Sequence, residues 1–279
     1  MPRTGVAAKA LALAGIVLTA LFAGACSRPV PPDPRAEAGR VTVSGEITVF
    51  AASSLTEAFR EIGAGFEAAN PGTRLNLNFG GSSTLRAQLE QGARADVFAS
   101  ADEVQMSLAV KAGVTASDPA VFARNRLVIV TPRGNPRQIA SLEDLGRPGV
   151  KLLLTAPGVP IGQYTLDLFD RAARAPGFGT DFRARAEANV VSREENVRQL
   201  VAKVQLGEAD AGVCYATDVT PSVRDQLTVI QIPDGLQVSS AYPLAPTRGS
   251  NPVGGQAFAA YVLSPAGQAV LQRWGFLPP

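Results

Sequence analysis

Residues 49–62 read VFAASSLTEAFREI, an apolar run that passes through two serines directly into a helical pattern. Residues 78–90, NFGGSSTLRAQLE, repeat this arrangement with a second apolar run and a second Ser-Ser pair. The apolar residues of the first helix recur at amphipathic helical spacing, at Leu55, Phe59, Ile62 and Phe66. We therefore predict two successive strand–helix units, each with serines at the carboxyl end of its strand.

The same alternation of apolar runs and amphipathic helices continues from Glu46 onward. Strands are predicted at EITVFAA, RLNLNFG, ADVFAS, RLVIVTP, KLLLTAP, AGVCYA, LTVIQIP and VSSAYPLAP. Helices follow most of these runs, including one from about Gly162 to Ala173 and one over REENVRQLVAKVQLG. This rhythm predicts an α/β fold with parallel, doubly wound sheets, in which ligands bind beyond the carboxyl ends of strands.

The predicted helix starts carry residues that can either cap a helix or bind an anion. Capping boxes of the form S-x-x-E are predicted at Ser54–Glu57, Ser100–Glu103 and Ser192–Glu195, and Pro160 suits a first helical turn. A helix start also exposes unpaired backbone N–H groups and the positive end of the helix dipole. Several starts around one cleft would surround an oxyanion with neutral donors. Local chemistry does not decide which serine of each pair would face it.

Composition and charge exclude several classes of function. The 279-residue chain is 46% hydrophobic and 18% charged, with 26 Lys+Arg, 24 Asp+Glu and no histidine. Removal of a leader containing Arg3 and Lys9 leaves 24 basic and 24 acidic residues, so no basic excess indicates a nucleic-acid partner. The absence of histidine excludes Ser-His-Asp catalysis and His-ligated zinc.

A catalytic use of the serines is also disfavoured by motif. A serine hydrolase using Ser53 or Ser54 would need a lysine base, and neither S-x-x-K nor G-x-S-x-G occurs. No P-loop motif is present either. We predict that the protein is not an enzyme and needs no cofactor. An extracellular scaffold or adhesion module stays open as an alternative.

The N-terminal segment predicts export and anchoring. Residues 1–25 have the basic start, apolar middle and small-residue end of a signal peptide. The sequence AGAC ending at Cys26 resembles a bacterial lipobox, which implies a lipidated cysteine and an extracytoplasmic lipoprotein on the cell membrane. Residues 26–45 contain four prolines and predict a tether. Cys214, in the apolar run AGVCYA, is predicted to be a buried thiol without a partner.

Several motifs together resemble the periplasmic molybdate-binding proteins, the solute-binding components of molybdate ABC importers. They are ITVFAASSLTEAF, FGGSSTLRAQLEQGARADVFASAD, VPIGQY, ENVRQLV, ADAGVCYATD and RWGF, in the family's order from Glu46 to Phe276. The resemblance implies a two-lobed class II periplasmic binding protein fold with the anion between the lobes. The expected boundaries are residues 46–126 plus 239–279 for lobe 1 and 127–238 for lobe 2.

By position, the resemblance implies five molybdate contacts: the hydroxyls of Ser54, Ser82 and Tyr215, and the backbone N–H groups of Ile161 and Val197. Molybdenum would be bound only as its oxyanion, and tungstate should bind comparably. The implied partners are an ABC permease and, through the lipid anchor, the membrane; a monomer is expected. The alternative is a protein of the same fold that binds sulfate or another small anion.

Four residues beside the implied contacts complete the expectations. Ser53 and Gly81 stand where the family would favour alanine and serine. Glu194 and Glu195 lie close to Val197 and would repel an anion if they faced it. We expect both carboxylates to complement the helix start and to point into solvent.

Overall fold

A computed structural model describes residues 43–279; the predicted signal peptide, Cys26 and most of the predicted tether lie outside them. The described strands are β1 (Gly45–Ala52), β2 (Thr73–Gly80), β3 (Val97–Ala99), β4 (Ala120–Asn125), β5 (Leu127–Pro132), β6 (Leu152–Thr155), β7 (Val190–Glu194), β8 (Ala211–Tyr215), β9 (Leu227–Gln231) and β10 (Ser240–Pro246). The helices are α1 (Thr56–Ala69), α2 (Ser82–Glu90), α3 (Glu103–Lys111), α4 (Pro160–Ala173), α5 (Phe182–Ala188), α6 (Val197–Gln205), α7 (Pro252–Leu263) and α8 (Pro265–Arg273).

The strands form two five-stranded sheets of the same design. The first has the order β2-β1-β3-β10-β4 and the second the order β7-β6-β8-β5-β9. Helices α1, α2, α3, α7 and α8 pack with the first sheet, and we call this group the first lobe; α4, α5 and α6 pack with the second sheet, and we call this group the second lobe. The chain passes from the first sheet to the second at Arg126, between β4 and β5, and returns between β9 and β10.

The predicted α/β fold is confirmed, but the sheets are mixed rather than parallel. β1 pairs in parallel with β2 and β3, whereas β10 is antiparallel to β3 and β4. In the second sheet, β6 is parallel to β7 and β8, whereas β5 is antiparallel to β8 and β9. The reversed strands, β5 and β10, arrive from the other lobe. Each enters its sheet at the end where the parallel strands finish and therefore runs against them.

Eight predicted strands are present, and three elements were missed: β4, β7 and α5. The sequence REE, predicted to open a helix, instead contributes Arg193 and Glu194 to the end of β7, and α6 begins only at Val197. The helix predicted from Gly162 begins two residues earlier, with Pro160 in its first turn as predicted.

The core lies between the sheets and their helices. The predicted apolar face of α1 is confirmed, because Leu55 and the side chains of Phe59, Ile62 and Phe66 are all buried. Full burial of a side chain of this size contributes about 1.5–3 kcal/mol. Cys214 is buried and has no disulfide partner within residues 43–279, and burial raises the pKa of its thiol well above the usual value. Within residues 43–279, no helix has the length and apolarity needed to cross a membrane.

Candidate functional site

A small cavity lies where the two lobes face each other, at the carboxyl ends of the parallel strands. All five residues implied by the resemblance line it: Ser54, Ser82, Ile161, Val197 and Tyr215. Ser53 and Gly81 line it as well. No lining residue from the described part of the chain carries a formal charge. An anion in this cavity would therefore meet oriented dipoles and hydroxyl groups rather than a cation.

Ser54 lies in a short 3-10 turn, Ser53–Leu55, that joins β1 to α1. Its side chain is buried, and its Oγ is 3.0 Å from the hydroxyl oxygen of Tyr242. The predicted Ser54–Glu57 capping box is wrong, because Leu55 is the N-cap of α1 and no side chain caps this helix. The Ser54 hydroxyl is consequently not committed to the helix backbone.

Ser82 is the first residue of α2 and is buried. Its Oγ accepts a hydrogen bond from the backbone N–H of Ala101 at 3.0 Å, which leaves its own proton free for another acceptor. The preceding residue, Gly81, approaches the other lobe closely: a Cβ there would lie 2.6 Å from the carbonyl oxygen of Glu195. The glycine at this position therefore permits this contact between the lobes.

Ile161 is the second residue of α4, immediately after Pro160. An N–H in the first turn of a helix has no partner within that helix, so the Ile161 amide can donate to a ligand. Its side chain is buried, which fits a role for the backbone rather than for the side chain. Gly162 allows α4 to begin close to β6, since a Cβ at this position would lie 2.6 Å from Thr155 Oγ1.

Val197 is the first residue of α6, and the helix start around it is capped by Asn196. The Asn196 side-chain oxygen accepts from the N–H groups of Arg198 at 3.0 Å and Gln199 at 3.1 Å. The cap therefore bonds to the two N–H groups that follow Val197. It does not bond to the N–H of Val197 itself. The Val197 N–H is thus available at the cavity wall.

Tyr215 ends β8, and only 1% of its surface is exposed. Its hydroxyl has no hydrogen-bond partner among the described residues, although it is buried. A buried polar group without a partner is unfavourable, so this hydroxyl is available to bond to a ligand in the cavity. Burial, together with the charge of nearby groups, raises the pKa of Tyr215 well above its usual value, so the phenol stays protonated and able to donate.

The other two predicted capping boxes are also wrong. Asp102, not Ser100, is the N-cap of α3 and accepts from the N–H of Gln105 at 2.8 Å. Ser192 lies within β7, too far from α6 to cap it. In both places a carboxylate or amide closer to the helix start replaced the serine. The pair Asn196 and Gln199, an N-cap residue with glutamine three positions on, was the sequence signal for the true start of α6.

The expectation for the two glutamates is right for one and wrong for the other. The Glu195 side chain is exposed. Glu194 is buried at the end of β7, where it accepts a hydrogen bond from Ser192 Oγ at 2.7 Å and pairs with Lys203 at 2.9 Å. Its charge is therefore balanced by a lysine of α6 rather than by solvent. Neither glutamate lines the cavity.

Direct contacts join the lobes beside the cavity, and no local sequence pattern predicted them. Arg198 of α6 forms an ion pair with Glu57 of α1 and donates from Nε to the carbonyl oxygen of Ser53 at 3.2 Å. Gln105 of α3 donates to the carbonyl oxygen of Gly158, before α4, at 3.0 Å. These bonds fix the relative position of the helix starts that surround the cavity.

A metal ion bound directly by side chains is not indicated in the described range. Residues 43–279 contain no cluster of three or more histidine, cysteine, aspartate or glutamate side chains placed to hold one. The cavity instead offers hydrogen-bond donors, which suit the oxygens of an oxyanion.

Comparison with known proteins identifies the family of the chain. Residues 47–277 match the family described as bacterial extracellular solute-binding protein. The molybdate-binding protein ModA of Mycobacterium tuberculosis is 41% identical over 268 residues, which is 95% of this chain and 97% of that protein.

Two solved structures share the two-lobed fold. The periplasmic molybdate-binding protein of Azotobacter vinelandii superposes with a TM-score of 0.71 at 18% identity, over 84% of this chain and 99% of that one. The sulfate-binding protein SubI of Mycobacterium tuberculosis superposes with a TM-score of 0.75 at 21% identity, over 84% of this chain and 86% of that one. The fold is thus shared by proteins named for different anions, whereas the sequence similarity over nearly the full length is to a molybdate-binding protein. The chain belongs to the bacterial extracellular solute-binding proteins and, within them, to the family of molybdate-binding proteins.

Proposed function

We propose that this protein captures molybdate in the cavity between its lobes and holds it with the five neutral donors of Ser54, Ser82, Ile161, Val197 and Tyr215. The observation that carries the proposal is the buried Tyr215 hydroxyl, which lines an uncharged cavity and has no partner among the described residues. The bound oxyanion would supply the acceptor that this hydroxyl lacks. Molybdate is the ligand here and not a cofactor, and binding involves no chemical reaction.

The donor set also explains the expected selectivity. Molybdate at neutral pH is a fully deprotonated dianion and can accept hydrogen bonds from every side. Hydrogen phosphate carries a proton that needs an acceptor. The two backbone N–H groups cannot accept it, and a hydroxyl that accepted it would turn its own proton away from the anion, which is unfavourable for a buried charge. Tungstate has nearly the size and charge of molybdate and should bind comparably. Sulfate is smaller and would leave some donors too distant.

Membership in the family places this function outside the cytoplasm. We further propose that the protein is held at the membrane by lipidation of Cys26, through the tether of residues 26–45, and that it acts as a monomer. In this scheme it delivers molybdate to the permease of an ABC importer. Residues 46–126 plus 239–279 would move as one lobe and residues 127–238 as the other. The connections between the two sheets, at Arg126 and between β9 and β10, support these boundaries.

The site assignment is tested by removing one donor at a time. Ser54→Ala, Ser82→Ala and Tyr215→Phe should each weaken molybdate binding by roughly 10- to 100-fold, because each removes a hydrogen bond to a charged group. Ser83→Ala is the matched control, since Ser83 neighbours Ser82 but does not line the cavity. Its affinity should stay within about twofold of the parent protein. Isothermal titration calorimetry with molybdate, tungstate and sulfate gives the comparison.

Two results would contradict the proposal. Sulfate binding as tight as molybdate binding would favour the alternative, a sulfate-binding protein of the same fold. Unchanged molybdate affinity in both serine variants would show that the ligand does not occupy this cavity.

A further inference from the structure

A second tyrosine, Tyr242, lies directly behind the candidate ligand contact Ser54. Tyr242 is the third residue of β10 and has no exposed surface. Because β10 enters the first sheet at the cavity end, its early residues lie next to the turn that carries Ser54. The Tyr242 hydroxyl contacts Ser54 Oγ at 3.0 Å and Asn125 Nδ2 at 3.4 Å. Tyr242 itself does not line the cavity.

The direction of these hydrogen bonds follows from Asn125. The Asn125 Oδ1 accepts from the backbone N–H of Arg126 at 2.9 Å, which fixes the orientation of the side-chain amide. Its Nδ2 therefore faces Tyr242 and also donates to Thr217 Oγ1 at 2.8 Å. An amide nitrogen can only donate, so the Tyr242 oxygen accepts from it. The Tyr242 proton is then directed to Ser54 Oγ.

The hydrogen bond from Tyr242 also determines the direction of the Ser54 proton. An oxygen that accepts from Tyr242 keeps its own proton for another partner, and Ser54 lines the cavity. Without Tyr242, the Ser54 hydroxyl could rotate and present either its proton or a lone pair to the ligand. Burial raises the pKa of Tyr242 well above its usual value, so Tyr242 stays protonated and remains a donor.

We propose that Tyr242, oriented by Asn125, is a positioning residue that fixes the Ser54 hydroxyl as a hydrogen-bond donor toward the bound oxyanion. This inference rests on the proposed role of Ser54 in ligand binding. Tyr242 and Asn125 lie behind the residues that line the cavity and would act on the ligand only through Ser54. Their hydrogen bonds also reach the second lobe, because Thr217 follows β8, and so the orientation of Ser54 depends on contact between the lobes beneath the cavity.

A double-mutant cycle tests this role. Molybdate affinity is measured by calorimetry for the parent protein, Tyr242→Phe, Ser54→Ala and the double variant. Tyr242→Phe removes one oxygen and keeps the ring that packs against Phe122 and Phe276. It should weaken binding about 3- to 10-fold in the parent background, and less than about twofold once Ser54 is alanine.

Tyr261→Phe is the matched control. Tyr261 belongs to the first lobe and packs on Phe66, away from the cavity. The molybdate affinity of the Tyr261→Phe variant should therefore match that of the parent protein. Thermal denaturation without ligand checks that each variant is folded.

The outcomes separate the two proposals. If Tyr242→Phe weakens binding equally with and without Ser54, its effect is general packing and the positioning role is overturned. If Ser54→Ala weakens binding while Tyr242→Phe leaves it unchanged, the positioning role is overturned and the site assignment stands. If Ser54→Ala has no effect, the assignment of Ser54 fails and the inference fails with it.

Discussion

At the scale of single residues, Asp218 gives the clearest dependence on pH. This carboxylate is fully buried after β8, where Oδ2 accepts the N–H of Tyr215 at 3.1 Å and Oδ1 lies 3.5 Å from Arg198 Nε. Burial raises the pKa of Asp218 from 3.8 to about 6, while the charge of Arg198 opposes the rise. Between about pH 4 and 6 the folded state therefore holds a proton that the unfolded chain has lost. The contribution of Asp218 to stability falls as pH rises through this window and is constant above it.

Asp218→Asn should remove this dependence, because an amide does not titrate. From pH 4 to pH 7, the unfolding free energy of the variant should gain roughly 1–3 kcal/mol relative to the parent protein. Urea denaturation without ligand at several pH values measures the difference in unfolding free energy between the variant and the parent protein. The titration of groups that both proteins share cancels in this difference. A difference that stays constant with pH would contradict the assignment.

Residue identities at the candidate site were only partly predictable from sequence. The Ser-Ser pairs marked the two turns that line the cavity, but local chemistry accepted either serine in each pair. The structure distinguishes Ser82 from Ser83, since Ser82 is buried against Ala101 and lines the cavity whereas Ser83 does neither. The direction of the Tyr215 hydroxyl depends on how β8 is placed in its sheet, which no local pattern contains. Only the family resemblance selected that residue.

At the scale of elements, the start of α6 depends on its cap. Asn196→Ala removes the acceptor for two backbone N–H groups and should lower the unfolding free energy by about 1 kcal/mol. Asn196→Asp keeps an acceptor of the same length and should stay within about 0.5 kcal/mol of the parent protein. Urea denaturation of the ligand-free protein compares the variants. Equal stability of the alanine and aspartate variants would show that the cap does not stabilise the fold.

The elements themselves were predictable where hydrophobic periodicity was strong, as in α1. The start of α6 was misplaced because Ser192 and Glu195 matched a capping box that competed with the true cap, Asn196. Strand β4 was missed although Phe122 and Ala123 are buried, because its other residues alternate less regularly in hydrophobicity. The reversed strands could not be identified from their own residues, since the direction of β5 and β10 is set by the lobe from which the chain arrives.

At the scale of the whole molecule, the proposed site would couple ligand binding to contact between the lobes. The helix starts at Ser82 and Val197 belong to different lobes, so an anion that contacts both must hold the lobes together. The ion pair between Glu57 and Arg198 stabilises the same arrangement from outside the cavity. Arg198 also immediately follows the proposed ligand contact Val197. Loss of the ion pair should therefore weaken ligand binding without removing any ligand contact.

Glu57→Gln tests this coupling. The variant should bind molybdate about 2- to 10-fold more weakly, because a partly buried ion pair between the lobes no longer favours their contact. Glu90→Gln is the matched control: it removes a similarly exposed ion pair with Arg86, but both partners lie on α2 within the first lobe. Calorimetry should find its affinity within about twofold of the parent protein. Equal weakening by both substitutions would indicate a general effect of charge, and no weakening by Glu57→Gln would show that the ion pair does not contribute to closure around the anion.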